Sequence, residues 1–202
     1  MGSRAGGGVR AGIVDGGGNY KGDIRNEESL VHIKDPQVYK EVKEAISRYE
    51  AVMGVRQRNV KLADMKGAYG AHVTSIDGIS VAVYLNKKYY NKSHKDFVAD
   101  KKADYASGWS TKTNRPAAHT VTHELAHATW NSHLSAPKAK AAGFVINRLY
   151  ETWSKDTHKK GYGKYATKNV NDFWAETVTK AVHGTPDRYT RAVKAIVKKY
   201  KL

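Results

Sequence analysis

Two histidines and a glutamate lie within one helical turn of each other in the segment Thr122-His123-Glu124-Leu125-Ala126-His127. On an α-helix, residues four apart project from one face, so the imidazoles of His123 and His127 can bind one Zn²⁺ ion. Glu124, next to the first histidine, can take a proton from a water molecule that the metal activates. The spacing predicts a hydrolytic zinc site; the competing interpretation is a polar helix face with two solvated histidines.

A catalytic zinc ion usually has three protein ligands, and the sequence offers two places for the third. His133 lies where metzincins have their third histidine, but Trp130 replaces the glycine that lets the chain turn there. The helix expected to begin near residue 171 instead presents Asp172 and Glu176 on one face. One acid can bind the metal while the other accepts the free N–H of a ligating histidine. Alternatively, both acids merely occupy a first helical turn, where negative charge is favoured.

A second segment resembles a known family. Residues 165–176, which follow the His-Glu-x-x-His-Ala motif, resemble the Tyr-x-x-x-Asn-x-x-Glu-Phe-Phe-Ala-Glu signature of the anthrax lethal factor and Pro-Pro endopeptidase group of gluzincin-like zinc metallopeptidases. Leu85-Asn86-Lys87-Lys88-Tyr89, then Gly108-Trp109, then the zinc motif follow in the same order as in the zincin-like C-terminal domains of phage minor head (head morphogenesis) proteins. The resemblance covers about residues 79–200 and leaves the N-terminal third uncovered.

The resemblance implies a role for six residues of this sequence. They are the zinc ligands His123, His127 and Asp172, the general base Glu124, the transition-state-stabilising Tyr165 and the ligand-orienting acid Glu176. Asp172 stands where the family normally has Glu, one methylene longer. The helix must therefore lie closer to the metal, or Glu176 must take over as the ligand.

Tyr165 falls in a loop rich in glycine and lysine, residues 158–168. Gly161 and Gly163 predict that this loop can move and close on a substrate. Tyr162 is the alternative hydrogen-bond donor, and an ordinary half-buried aromatic is the competing interpretation of Tyr165.

Taken together, the motif and the resemblance imply a phage-encoded, zinc-dependent metalloendopeptidase. A bound water would attack the peptide carbonyl with the help of Glu124. The implied partners are protein or peptide substrates and phage capsid or tail proteins. The alternative is a phage virion structural or DNA-associated protein that keeps a zincin-like fold with little or no proteolytic activity.

The composition restricts the partners and the kinds of metal site. Net charge is +16, from 35 Lys and Arg against 19 Asp and Glu, which attracts nucleic acid or other anionic surfaces. Two interpretations of this charge are equally supported: non-specific contact with DNA, and a lysine-rich surface that is merely solvated. No nucleic-acid-binding motif occurs that would favour the first. The absence of cysteine excludes disulfides and thiolate zinc sites. The sequence contains no apolar run long enough to span a membrane and no secretory signal is seen. These features leave the location unknown, and the phage resemblance favours a virion or the host bacterial cytoplasm.

We expect an α+β fold of zincin-like type, with a small mixed sheet, an active-site helix and a helical C-terminal subdomain. Residues 1–22 are predicted to form a flexible Gly-rich arm, and residues 23–202 a single domain. The sheet-containing half would run from about 23 to 133 and the helical half from about 134 to 202. Hydrophobic periodicity and capping residues predict the individual elements. These are helices at 36–54, 119–133, 137–153 and 171–183 and one from Thr185, strands at 60–62, 71–74 and 79–85 with a turn at Asp77-Gly78, and an irregular segment at 86–118.

Overall fold

The computed structural model describes residues 23–56, 59–74, 80–113, 115–131 and 137–202. The predicted Gly-rich arm, the turn at Asp77-Gly78 and the candidate ligand His133 lie outside these residues. Within them the chain forms a mixed four-stranded sheet and seven α-helices, which confirms the α+β class. None of the helices in the described ranges combines the length and the apolar character that crossing a bilayer requires.

The secondary-structure elements follow the predicted order, with the sheet before most of the helices. The strands are β1 (Arg25–Glu28), β2 (Val60–Asp64), β3 (Gly70–Thr74) and β4 (Ser80–Asn86). The helices are α1 (Pro36–Met53), α2 (Lys87–Tyr90), α3 (His94–Ala106), α4 (Ala118–Asn131), α5 (Pro137–Lys155), α6 (Val170–His183) and α7 (Arg188–Tyr200). Short 3₁₀ helices span Leu30–His32 and Lys164–Thr167.

The strand order across the sheet is β1-β2-β4-β3. β2 runs parallel to β4, whereas β1 and β3 run antiparallel to their neighbours, so the sheet is mixed as expected. The expected antiparallel pairing of the last two strands is present, with His72 opposite Val83. β3 is an edge strand and packs against α4, the helix that carries the zinc motif.

Helix α1 shows how capping residues set the element boundaries. The Asp35 carboxylate accepts hydrogen bonds from the backbone N–H groups of Gln37 and Val38, and Pro36 occupies the first helical turn, where a missing N–H costs nothing. At the other end, Gly54 adopts a φ of 73°, the left-handed conformation that terminates a helix. The predicted helix is thus confirmed to within one residue.

The prediction of an irregular segment at 86–118 was wrong, because this stretch contains α2 and α3. Helix α3 buries only Phe97 and Lys101, so it carries almost no apolar periodicity that a sequence pattern could reveal. Its start is instead marked by Ser93, whose hydroxyl accepts a hydrogen bond from the backbone N–H of Asp96. Strand β1 was also missed, since all four of its residues are exposed.

The main hydrophobic core joins the two halves of the chain. Its buried side chains come from all seven described helices, chiefly α1, α4, α6 and α7, and from β2 and β4. Two hydrogen bonds to α4 carbonyls bind the neighbouring helices: the indole N–H of Trp174 donates to Ala126 O at 2.9 Å, and the hydroxyl of Tyr49 donates to Leu125 O at 3.1 Å. Helix α4 is therefore held between the sheet, α1 and α6, which fixes the direction of its histidines.

Candidate metal centre and adjoining cleft

Helix α4 is buried along most of its length, including its polar motif. His123, Glu124 and His127 expose only 5%, 6% and 2% of their surface. Buried polar side chains require partners, because an unsatisfied polar group in a protein interior costs about 1–3 kcal/mol. Two solvated histidines on a polar helix face, the competing interpretation of the motif, are not what the structure contains.

Three ligand atoms converge beside the motif. His123 Nε2 and His127 Nε2 lie 3.1 Å apart, and Asp172 Oδ1 from α6 lies 3.9 Å and 3.8 Å from them. Two ligands of one tetrahedral zinc ion, with bonds of about 2.0–2.2 Å, are separated by about 3.3–3.6 Å. The observed separations bracket this value, and two imidazoles with one carboxylate form a donor set that suits zinc. The three side chains therefore fit a zinc ion.

The Asp172 side chain is oriented by the residue that caps its own helix. Asn169 is the N-cap of α6, and its side-chain oxygen accepts from the backbone N–H of Asp172 at 2.9 Å. Its side-chain amide in turn donates to Asp172 Oδ2 at 2.8 Å. Because Oδ2 is held by Asn169, Oδ1 is the oxygen that faces the two histidines.

Glu176, one turn further along α6, has a different set of contacts. Its Oε1 lies 2.9 Å from both His123 Nδ1 and His119 Nε2, and its Oε2 accepts from the backbone N–H of Thr111 at 2.7 Å. Donation from Nδ1 to Glu176 leaves His123 Nε2 as the atom with a lone pair, turned toward His127. The structure therefore brings Asp172, rather than Glu176, to the two Nε2 atoms.

Burial and charge act on the pKa values of this group in opposite directions. Burial alone would raise the pKa of Glu176, but the charge and hydrogen bonds of His119 and His123 hold it well below the usual range. For His127, burial lowers the pKa well below its usual value, which favours the neutral, metal-binding form. Burial also acts to lower the pKa of His123, but Glu176 outweighs it and raises that pKa.

His72 is a site residue that sequence reasoning missed. It projects from edge strand β3, is fully buried, and places its Nδ1 4.0 Å from Glu124 Oε2 and its ring 5.5 Å from the ring of His127. Burial lowers the pKa of His72 to about 4, so the ring is neutral near pH 7. A histidine in the middle of an otherwise apolar strand was the only available signal.

A cleft of about 360 Å³ opens beside the motif and is lined by His123, Glu124 and Tyr165. The Tyr165 ring stands edge to face against His123, with 5.3 Å between ring centroids, and against Trp109, with 5.5 Å. Residues 67–70 also line this cleft. The structure thus brings Tyr165 to the same cleft as Glu124 and His123, whereas His127 and Asp172 do not line it.

Backbone hydrogen bonds fix the position of Tyr165. The N–H groups of Lys164 and Tyr165 donate to the carbonyls of Gly108 and Trp109 at 2.8 Å and 2.9 Å. We call the paired segments 108–111 and 163–165 the ledge. A Cβ atom on Gly163 would lie 2.3 Å from the backbone carbon of Ser110, so glycine is required there for close approach.

This geometry differs from two expectations for the loop. The sequence predicts that Gly163 lets the loop move, whereas in the structure Gly163 lets two backbone segments come into contact. Tyr162, the alternative donor, points elsewhere: its hydroxyl donates to the Asp187 carboxylate at 3.0 Å and its ring packs on Trp153. Tyr162 does not line the cleft, so it is not the alternative to Tyr165.

Comparison of the chain with protein-family models, with curated proteins and with solved structures finds no match.

Proposed function

We propose that this protein is a zinc-dependent endopeptidase of gluzincin-like type. The observation that carries the proposal is the convergence of His123 Nε2, His127 Nε2 and Asp172 Oδ1 beside a cleft that Glu124 lines. A purely structural zinc site has no need of a carboxylate next to its ligands or of access from a cleft. The sequence resemblance to the lethal factor and Pro-Pro endopeptidase group supports the same reaction class and a zincin-like fold.

His123, His127 and Asp172 would hold the zinc ion. When bound, zinc supplies Lewis-acid chemistry: it polarises a carbonyl group and makes water a stronger nucleophile near neutral pH. Glu124 accepts the proton of the water that attacks the peptide carbonyl and returns it to the leaving amine as the C–N bond breaks. Burial of Glu124 against Gly70 of β3 keeps its carboxylate in one position for both transfers.

Tyr165 and β3 act on the substrate in this proposal. The phenol of Tyr165 donates a hydrogen bond to the oxygen on which negative charge develops. Gly70, the first residue of β3, lines the cleft, and β3 is an edge strand. An extended peptide can therefore add to that edge through main-chain hydrogen bonds, a common mode of peptide binding.

The test is zinc content and casein cleavage, measured for the wild type, for Glu124→Gln and for Glu151→Gln. Glu151 is an exposed residue of α5, so its substitution is a matched control for loss of one carboxylate. We expect about one zinc ion per chain in all three proteins, with cleavage abolished only in Glu124→Gln. Stoichiometric zinc in a wild type that cleaves neither casein nor a mixed peptide library would overturn the proposal and favour a virion structural role.

A further inference from the structure

The positive charge is concentrated in the C-terminal third of the chain. Residues 137–202 contain fifteen of the 35 Lys and Arg but only five of the 19 Asp and Glu. Two of those five acids, Asp172 and Glu176, are buried in the metal centre. Glu151, Asp156 and Asp187 are the remaining acids of this part of the chain, and they can offset only a small share of the positive charge at its surface.

A large basic cavity lies outside the catalytic cleft. Its volume is about 900 Å³, and it shares no lining residue with the cleft: Trp109 and Ser110 line the cleft, whereas Lys112 and Thr113 line the cavity. Six Lys and Arg side chains contribute to its walls. They are Lys112, Lys159, Lys160, Lys180, Arg188 and Arg191.

The two carboxylates in this cavity are already occupied by internal partners. Asp187 accepts from Lys180 Nζ at 2.7 Å, from the Tyr162 hydroxyl and from two backbone N–H groups at the start of α7. Asp156 accepts from Arg188 at 2.6 Å and from the Tyr189 hydroxyl at 2.7 Å.

Three other cationic side chains of the cavity are available to bind an external anion. Within the described part of the chain, the side chains of Lys112, Lys160 and Arg191 form no hydrogen bond or ion pair, and only backbone atoms of Lys160 and Arg191 are bonded. Their charges therefore have no partner there that would compete with an external anion.

Helix α7 extends this positive surface away from the cavity. Its thirteen residues include no Asp or Glu. Arg191, Lys194 and Lys198 follow one another at i, i+3 and i+7, so they share one face, while the opposite face buries Val193 and Val197. At 1.5 Å per residue, Arg191 and Lys198 are about 10 Å apart along the helix axis, roughly three phosphate intervals of one DNA strand.

We propose that the basic cavity and the outer face of α7 form one binding surface for the phosphodiester backbone of nucleic acid. We call it the basic strip: Lys112, Lys160, Arg191, Lys194 and Lys198. Phosphate contacts need only aligned cations, and they hold a nucleic acid without reading its sequence. An acidic protein is the less suitable ligand, because protein interfaces rely on apolar and aromatic anchors. Among the described residues, the large exposed hydrophobics are Val31, Trp109 and Phe144, and none belongs to the strip.

Binding of the full chain to labelled 20-base-pair duplexes of unrelated sequence, titrated with salt, tests this surface. The test variant is Arg191→Gln/Lys194→Gln/Lys198→Gln. The control, Lys40→Gln/Lys43→Gln/Lys95→Gln, removes the same charge from exposed positions of α1 and α3. Glutamine matches lysine and arginine closely in helix propensity, and circular dichroism verifies that both variants are folded.

We expect the wild type to bind all duplexes alike, with affinity that falls steeply as salt rises. Removal of three phosphate contacts should lower affinity at least 10-fold near 0.1 M salt and reduce the log–log salt slope by about 2–3. The control should change affinity less than twofold. Equal loss in both variants, absence of duplex binding, or displacement of DNA by polyglutamate at equal charge concentration would overturn the proposal. All of these readouts are independent of zinc and of peptide cleavage.

Discussion

Glu176 contacts two histidines of the candidate metal centre, although it does not face the two Nε2 atoms itself. Its two oxygens engage His123, His119 and the backbone of Thr111. From the sequence, the four-residue spacing placed Asp172 and Glu176 on one helix face, but either acid could have been the third ligand. The choice depends on how closely α6 approaches α4, which is set by packing such as that of Trp174 against Ala126 O. A spacing rule contains no information about that distance.

Glu176→Gln should weaken zinc binding by about 10–100-fold while leaving the protein folded. The amide keeps the size of the side chain but loses the charge that fixes the tautomer of His123. The dissociation constant, measured by competition with a chromophoric chelator, gives the result. Glu151→Gln is the control and should bind zinc as the wild type does. An unchanged affinity in Glu176→Gln would show that this carboxylate does not orient the ligand.

Among the secondary-structure elements, capped helices with an apolar face could be predicted from the sequence, whereas polar helices and strands could not. Helix α1 carries both signals, and its predicted bounds agree with the structure. Helix α3 carries only the Ser93 cap, and β1 is exposed along its whole length. Neither element therefore has the periodic apolar residues by which a sequence pattern could reveal it. The ledge was also beyond prediction, because contact between residues 108–111 and 163–165 depends on long-range folding. A glycine that permits contact and a glycine that permits motion are identical in a sequence.

Two glycine-to-alanine substitutions should separate these roles. A Cβ on Gly163 would overlap the backbone of residues 109–111, so Gly163→Ala should destabilise the fold by about 1–3 kcal/mol and displace Tyr165. Gly143 lies inside helix α5, where a Cβ would meet only Trp130 at 3.9 Å. Gly143→Ala should therefore stabilise the protein by about 0.5–1 kcal/mol. Urea unfolding measures both changes, and a Gly163→Ala protein as stable as the wild type would contradict the role given to the ledge.

A metal ion bound by His123, His127 and Asp172 would link α4 to α6, two helices of the main core, and so affect the stability of the whole molecule. Zinc at 100 times its dissociation constant should then stabilise the fold by about 2.7 kcal/mol. For a chain of this length, that corresponds to an increase in Tm of roughly 5–10 °C. Thermal unfolding with excess zinc and with a chelator tests this expectation. Asp172→Asn is the control, and its Tm should respond little to either addition.

The overall charge was evident from the sequence, but its position was not. The basic strip draws on Lys112, on the loop that holds Lys160 and on one face of α7, segments that only the fold brings together. The pairing of Asp156 and Asp187 with neighbouring cations likewise depends on side-chain positions. A count of charged residues therefore predicts attraction to polyanions but cannot say which surface provides it.

The side chains of the candidate metal centre come from distant parts of the chain, and this has a consequence during synthesis. His72, the α4 histidines and Asp172 span one hundred positions, and Asp172 belongs to the penultimate helix. A nascent chain on the ribosome lacks the candidate third ligand until that helix emerges and packs on α4. On the proposed function, we therefore expect a newly made polypeptide to cleave neither itself nor its neighbours until its core has closed. The order of translation would then keep the candidate site incomplete, and so inactive, during synthesis.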